Sequence, residues 1–308
     1  MNSEIKIFSP ATVANVACGF DVLGFCLDTI GDYMTVRKVD DKGIRITNIK
    51  GFDLPFAPEK NVAGVAALSI YRQLAPNCGF DIEIDKRIKP GSGIGSSGAS
   101  ASGAVYAINK LLGEPLDKTQ LIHHAMQGEA LASKSLHADN LAPAIYGGFT
   151  LVKSINPLQI LSLPTPKDLF ATIIHPQIEI KTADSRAVLP KNIPLSDAII
   201  QWANVGSLVH ALHSSDYNLL QSSLNDVIIE PHRKQLIPHF DALKSNVLKT
   251  GALTCAISGS GPSVFALSKG ENTAKLAQEA MQTTYANSGI DFETYVSKIN
   301  VEGIKIVE

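Results

Sequence analysis

The stretch Lys89-Pro90-Gly91-Ser92-Gly93-Ile94-Gly95-Ser96-Ser97-Gly98-Ala99-Ser100 decides how the chain is read. Ahead of it, Phe80-Asp81-Ile82-Glu83-Ile84-Asp85 alternates apolar and acidic side chains, the period of a strand with one buried face. Behind it, residues 99–112 carry a helical pattern rich in Ala, Gly and Ser, small enough to lie close on a sheet. Glycines at every second position free the backbone to turn and let its N–H groups approach a ligand. Ser96 or Ser97 is placed to cap the helix. A glycine loop entering a helix N-terminus gathers free N–H groups and the positive end of the helix dipole, which makes an anion site. A phosphate chain is the economical ligand. A purely structural turn competes, because Gly and Ser punctuate loops in general. A Walker A loop is excluded, since neither Lys-Ser nor Lys-Thr follows the last glycine, and the glycine spacing does not fit the dinucleotide fingerprint.

The whole chain suits this reading. Its 308 residues allow two domains or one large one, and 45% hydrophobic content supports a sizeable core. A net charge of −2 without a basic stripe argues against nucleic acid and against an anionic membrane surface. No apolar run reaches the ~18 residues of a membrane span. The first residues lack the apolar core of a signal peptide. Cys18, Cys26, Cys78 and Cys255 are scattered, with no C-x-x-C pair, so reduced thiols and a cytoplasmic location are expected.

Residues 5–8 alternate like a strand. The small, nearly uncharged stretch that follows holds Asn15 and Asp21, which need partners if buried. Turn chemistry is the alternative for both. Residues 33–39 and 44–47 predict a hairpin across Asp40-Asp41-Lys42-Gly43. Asn61 is expected to cap a helix over 62–74, and Asp117 with Gln120 makes a capping box for the helix that carries Glu129. Pro143 interrupts that helical region, leaving His137, Asp139 and Asn140 at a helix end where polar groups can face a cleft. Thr182 opens a short helical turn containing Arg186, and Pro231-His232-Arg233 lies between helices. Arg186 and Arg233 are ordinary surface cations or a bidentate clamp for a carboxylate or phosphate. Ser258-Gly259-Ser260-Gly261-Pro262-Ser263 forms a second glycine turn, between two strands. His123-His124 and the His210/His213 pair lack further ligands and read as helix-surface histidines. The second half mixes antiparallel strands with covering helices, an α+β pattern.

Three separated blocks resemble, in order, the motifs of the GHMP small-molecule kinases. They are Ser9-Pro10-Ala11-Thr12-x-Ala14-Asn15 with Gly19-Phe20-Asp21-x-Leu23-Gly24, then Pro90 through Ser100, then Ile257-Ser258-Gly259-Ser260-Gly261-Pro262-Ser263. One departure is Gly98, where that family more often has alanine, at a helix-propensity cost of ~1 kcal/mol at most. The strings around His137 to Gly148, Thr182 to Pro190 and Glu230-Pro231-x-Arg233 resemble the homoserine kinases within that family.

The resemblance implies a two-domain α+β architecture. An N-terminal domain like ribosomal protein S5 domain 2 would span residues 1–165 and carry the ATP loop. A ferredoxin-like C-terminal domain would span 166–308, with the site in the cleft between them. It implies ATP as co-substrate, wrapped by Pro90, Gly91, Ser92, Gly93, Ile94, Gly95, Ser96, Ser97, Gly98, Ala99 and Ser100, with Asn61 near the adenine. It implies Mg²⁺ held by Ser97 and Glu129. It implies L-homoserine held by Asn15, Asp21, His137, Asn140, Arg186 and Arg233, with Asp21 on its ammonium and the arginines on its carboxylate. Asn140, Thr182 and Arg186 would stand at the reacting groups. Relatives of the mevalonate kinase type place an aspartate where Asn140 stands here, and an amide does not accept a proton at neutral pH. Direct transfer without a side-chain base is therefore expected. A homodimer and a place in threonine biosynthesis are implied as well. A kinase of another small alcohol, such as a mevalonate-like one, and a catalytically silent sensor are the competing readings.

Overall fold

The structure is a computed structural model that describes residues 3–133, 136–180 and 182–307. A seven-stranded sheet carries the first half. It contains β1 (Glu4–Ala14), β2 (Leu23–Val39), β3 (Gly43–Lys50), β4 (Gly79–Asp85), β5 (Phe149–Ile155) and β6 (Leu158–Leu163). β1 and β2 pair antiparallel, with Phe8 opposite Tyr33 and Val13 opposite Phe25. Three helices cover one face of this sheet: α1 (Val62–Leu74), α2 (Ser96–Leu111) and α3 (Lys118–Ser133). The short α4 (Leu141–Tyr146) follows, ending at Gly147.

The expected hairpin does not form. β3 and β2 each pair with β4, which lies between them, and Val39 and Gly43 both face Gly79. β2 meets β4 antiparallel, whereas β3 meets it parallel across the α1 crossover. The turn at residues 40–43 was legible, but the strand inserted beside it arrives from about forty residues downstream.

The second half forms a four-stranded antiparallel sheet in the order β10-β7-β9-β8. Its strands are β7 (Leu169–Pro176), β8 (Thr254–Ile257), β9 (Val264–Lys269) and β10 (Phe292–Lys298). Around them run α5 (Thr182–Ala187), α6 (Leu195–Ser214), α7 (Tyr217–Ser223), α8 (Glu230–Arg233), α9 (Phe240–Leu248) and α10 (Glu271–Tyr285). Residues 231–233, expected between helices, belong to α8. The chain then returns, and β11 (Lys305–Ile306) adds to the free edge of β1.

The two sheets share a core. The ring of Phe25 lies 5.0 Å from that of Phe149 and 5.7 Å from that of Phe265, centroid to centroid. A bridge between Leu27 and Ile299 ties β2 to the residue after β10. These contacts bring the two glycine turns face to face. Among the described residues, no helix is long and apolar enough to cross a membrane.

Candidate active site

The glycine loop spans the gap from β4 to α2, and Gly91, Gly93 and Gly95 all have left-handed backbone, with φ of 75°, 84° and 70°. Gly95 itself caps α2. Neither serine does so: Ser96 Oγ donates instead to Ile88 O at 2.9 Å, which closes the loop at its base. The first helical hydrogen bond runs from the Ala99 N–H to Gly95 O (2.8 Å), so the amides of Ser96, Ser97 and Gly98 precede it. Such amides are the donors a helix offers to an anion.

Two neighbours press on the loop. A Cβ on Gly95 would stand 2.1 Å from Thr12 Oγ1, and one on Gly93 would stand 2.6 Å from Gly261 O. The second glycine turn also holds the loop's backbone, with Ser258 Oγ donating to Gly93 O at 2.8 Å. The two glycine turns are therefore parts of one structure.

A cavity of about 830 Å³ opens in front of them. Pro90, Gly91, Gly93, Gly95, Ser96, Ser97 and Ser100 line it from the loop, with Asn61 at one side. Ser92, Ile94, Gly98 and Ala99 do not line it. Ile94 and Ala99 pack in the shared core, and Gly98 lies against Asn140. Asn61 caps α1, accepting from the Ala63 and Gly64 amides.

The first motif reaches the same cavity through strained backbone. Asn15, Val16, Ala17 and Asp21 all have positive φ. Non-glycine residues in that region cost of order 1–3 kcal/mol each and gather at functional sites. Asn15 holds the bend together: its Nδ2 donates to Gly259 O (2.7 Å) and its Oδ1 accepts from the Asp21 N–H (3.0 Å).

Asp21, His137, Asn140, Arg186 and Arg233 line the same cavity. Arg186 Nη2 lies 2.8 and 3.0 Å from the two Asp21 carboxylate oxygens and 3.1 Å from His137 Nε2. Arg233 is buried. Its Nε donates to Ser185 O (3.1 Å) and its Nη1 to Gly259 O (2.9 Å). Both guanidinium groups face the Phe20 ring, at 5.5 and 4.9 Å. Burial, and Arg186 beside it, lower the Arg233 pKa to about 10, so it stays a cation at neutral pH. Burial also lowers the His137 pKa. Asn140 Oδ1 accepts from Thr12 Oγ1 at 2.8 Å. Thr182 opens α5, and its side chain lies outside the described part of the structure.

Two carboxyl groups sit deep on the cavity wall. Glu129 has its pKa raised by burial to about 7, against the pull of a hydrogen bond with Ser97 and the nearby charge of Lys86. Asp139, beside Asn140, is also raised to about 7, first by burial and then by Asp21 and Glu129.

Sequence reasoning missed Lys86, which lines the cavity from the end of β4. The signal was present. Ile82, Ile84, Lys86 and Ile88 share one side of the strand pattern, and all four are buried. The stretch from His175 to Ile180 forms another wall that no motif marked.

Residues 61–148 match the family described as GHMP kinases N terminal domain, and residues 208–287 match GHMP kinases C terminal. The chain is 44% identical to the homoserine kinase of Chlorobaculum tepidum, over 97% of either chain. A crystal structure of homoserine kinase from Cytophaga hutchinsonii superposes with a TM-score of 0.96 at 48% identity, covering all of this chain and 98% of that one. L. major mevalonate kinase in complex with R-mevalonate gives a TM-score of 0.71 at 14% identity, over 97% of this chain and 98% of that one, a likeness of fold alone.

Proposed function

The chain belongs to the GHMP kinases, within their homoserine kinase branch, and from that premise we propose that it transfers the γ-phosphoryl group of ATP to the terminal hydroxyl of L-homoserine. The products are O-phospho-L-homoserine and ADP, a step of threonine biosynthesis. One observation carries this reading. A glycine loop and helix N-terminus suited to a triphosphate share a single cavity with a carboxylate and two arginines suited to an amino acid.

The loop amides, with Ser96, Ser97 and Ser100 on the cavity wall, grip the triphosphate, and Asn61 lies beside the adenine. Asp21 takes the substrate ammonium, and Arg186 and Arg233 take its carboxylate. Asn15 and His137 hold the walls of that pocket. Burying either ionic end without a partner is costly, so the pocket selects a zwitterion over a neutral sugar. Ser97 and Glu129 offer two hard oxygen donors side by side, which fits Mg²⁺. Among the described residues, no group of three or more His, Cys, Asp or Glu could hold a metal. The remaining ligands then come from phosphate and water. Mg²⁺, when bound, neutralises phosphate charge during transfer.

The substrate oxygen attacks the γ-phosphorus, the bond to ADP breaks with its electron pair on ADP, and the hydroxyl proton passes to a phosphoryl oxygen. Asn140, held by Thr12, orients the hydroxyl and takes no proton. Positioning and charge neutralisation carry most of the catalysis in a loose phosphoryl transition state.

We also divide the chain into domains at 1–165 and 166–308, supported by β6 ending at Leu163 and β7 starting at Leu169. The free state of the described cysteines supports a cytoplasmic location. An exposed apolar row on α6, Leu195, Ile199 and Trp202, supports a homodimer. Release of ADP from Mg-ATP, compared with L-homoserine, L-threonine, mevalonate and galactose, tests the substrate. Turnover on L-homoserine alone supports the reading, and turnover on mevalonate or galactose instead overturns it.

A further inference from the structure

We infer that the buried pair of Asp32 and Lys86 is a positioning element that fixes the two ends of the phosphate loop. The inference rests on the nucleotide role given to that loop above. Asp32 is 0% exposed and Lys86 3% exposed, so both charges lie out of water. A buried ion pair is by itself weak evidence for stability, because an apolar pair of the same volume often serves as well. Its contacts show what an apolar pair would not do.

Asp32 Oδ1 accepts from two consecutive amides, Arg87 (2.8 Å) and Ile88 (2.9 Å), where the chain leaves β4. Its Oδ2 pairs with Lys86 Nζ. Lys86 Nζ then reaches across the loop, donating to Ser96 O (2.7 Å) and to Ser100 Oγ (3.0 Å) in the first turns of α2. An ammonium has three protons, and all three are placed. Residues 86–88 and 96–100 are thereby joined beneath the loop, with Ser96 Oγ to Ile88 O as a second tie. The span between them, including Gly91, Gly93 and Gly95, is held at a fixed opening. Pre-organisation of that kind lowers the ordering cost of gripping a ligand. Lys86 is also one of the residues lining the cavity.

The test is the double variant Asp32→Asn with Lys86→Met. Asparagine keeps an acceptor for the two amides, methionine fills the lysine volume, and both charges of the pair are removed together. Calorimetric ADP binding is expected to weaken about tenfold or more, with L-homoserine binding unchanged within about twofold. Hydrogen exchange at the amides of residues 89–96 is expected to quicken. Wild-type ADP affinity and wild-type exchange in the folded double variant would overturn the inference. If that variant does not fold, Lys86→Arg replaces it. Arginine keeps the charge and the pair, but its planar fork cannot reproduce the three directions. Weaker ADP binding at an unchanged melting temperature supports the inference, and wild-type binding overturns it. Turnover of the wild-type enzyme on L-homoserine is scored separately, so failure of the substrate assignment and failure of the loop clamp are distinguishable.

Discussion

Arg186 closes on both carboxylate oxygens of Asp21, at 2.8 and 3.0 Å. The two groups assigned to opposite ends of the substrate hold one another. A zwitterion entering this pocket exchanges one ion pair for two, with no net change of charge. An uncharged guest would leave Asp21 and Arg186 to each other.

Asp21→Asn removes the anion and keeps the shape. The KM for L-homoserine is expected to rise roughly 10- to 100-fold, the size of a lost charged hydrogen bond. The KM for ATP should stay within about threefold. Steady-state kinetics on both substrates check this, and an equal rise for ATP would place Asp21 outside the amino-acid pocket.

Gly95 and Gly91 share left-handed backbone but not surroundings. A Cβ on Gly95 meets Thr12 Oγ1, whereas nothing lies within 4 Å of one on Gly91. Gly91→Ala should cost about 1 kcal/mol of stability from backbone strain. Gly95→Ala adds the clash with Thr12 and should weaken ADP binding about tenfold. Thermal melts and ADP calorimetry on the pair separate strain from displacement.

Asp139 gives a pH signature. Its ordinary value of 3.8 rises to about 7 in the fold, mainly through burial. Between those values the folded state holds a proton that the unfolded state has lost. Its contribution is therefore favourable at low pH and declines as the pH rises towards 7. Asp139→Asn has no such proton to lose. From pH 5 to pH 8 the variant should gain on the unliganded wild type by on the order of 1–3 kcal/mol, read from denaturant melts. Its turnover should fall less than about tenfold, because no side-chain base is assigned. A loss of 10²-fold or more, the scale of general base catalysis, would assign the proton to Asp139.

Trp202 is 58% exposed and Leu195 69% exposed on α6. In the proposed homodimer this face is the contact, so Trp202→Glu should sediment as a monomer under conditions where the wild type sediments as a dimer. A wild-type monomer would dismiss that face as the contact.

The motifs made the site legible in part. The glycine loop, its lead-in strand and the Asn61 cap could be read from local chemistry, since a strand, a turn and a helix N-terminus each leave a mark within a few residues. The gathering of Asp21, His137, Arg186 and Arg233 left no such mark. Those residues come from four separated segments, and the resemblance to known kinases, not spacing, brought them together. The hairpin error has the same origin: the turn at residues 40–43 is local, but the partner strand is not. Lys86 was missed for a different reason. A lysine at a strand end is ordinarily a surface residue, yet its alternation with Ile82, Ile84 and Ile88 set it on the buried side.

The pocket's reading of both ionic ends is tested most directly by truncated substrates. ADP release from Mg-ATP would be followed with L-homoserine, with 4-hydroxybutanoate, which lacks the ammonium, and with 3-aminopropan-1-ol, which lacks the carboxylate. Pairing of both ionic ends requires a kcat/KM for L-homoserine at least about 10²-fold above either analogue, as each leaves a charge unpaired. Comparable turnover of either analogue would contradict it.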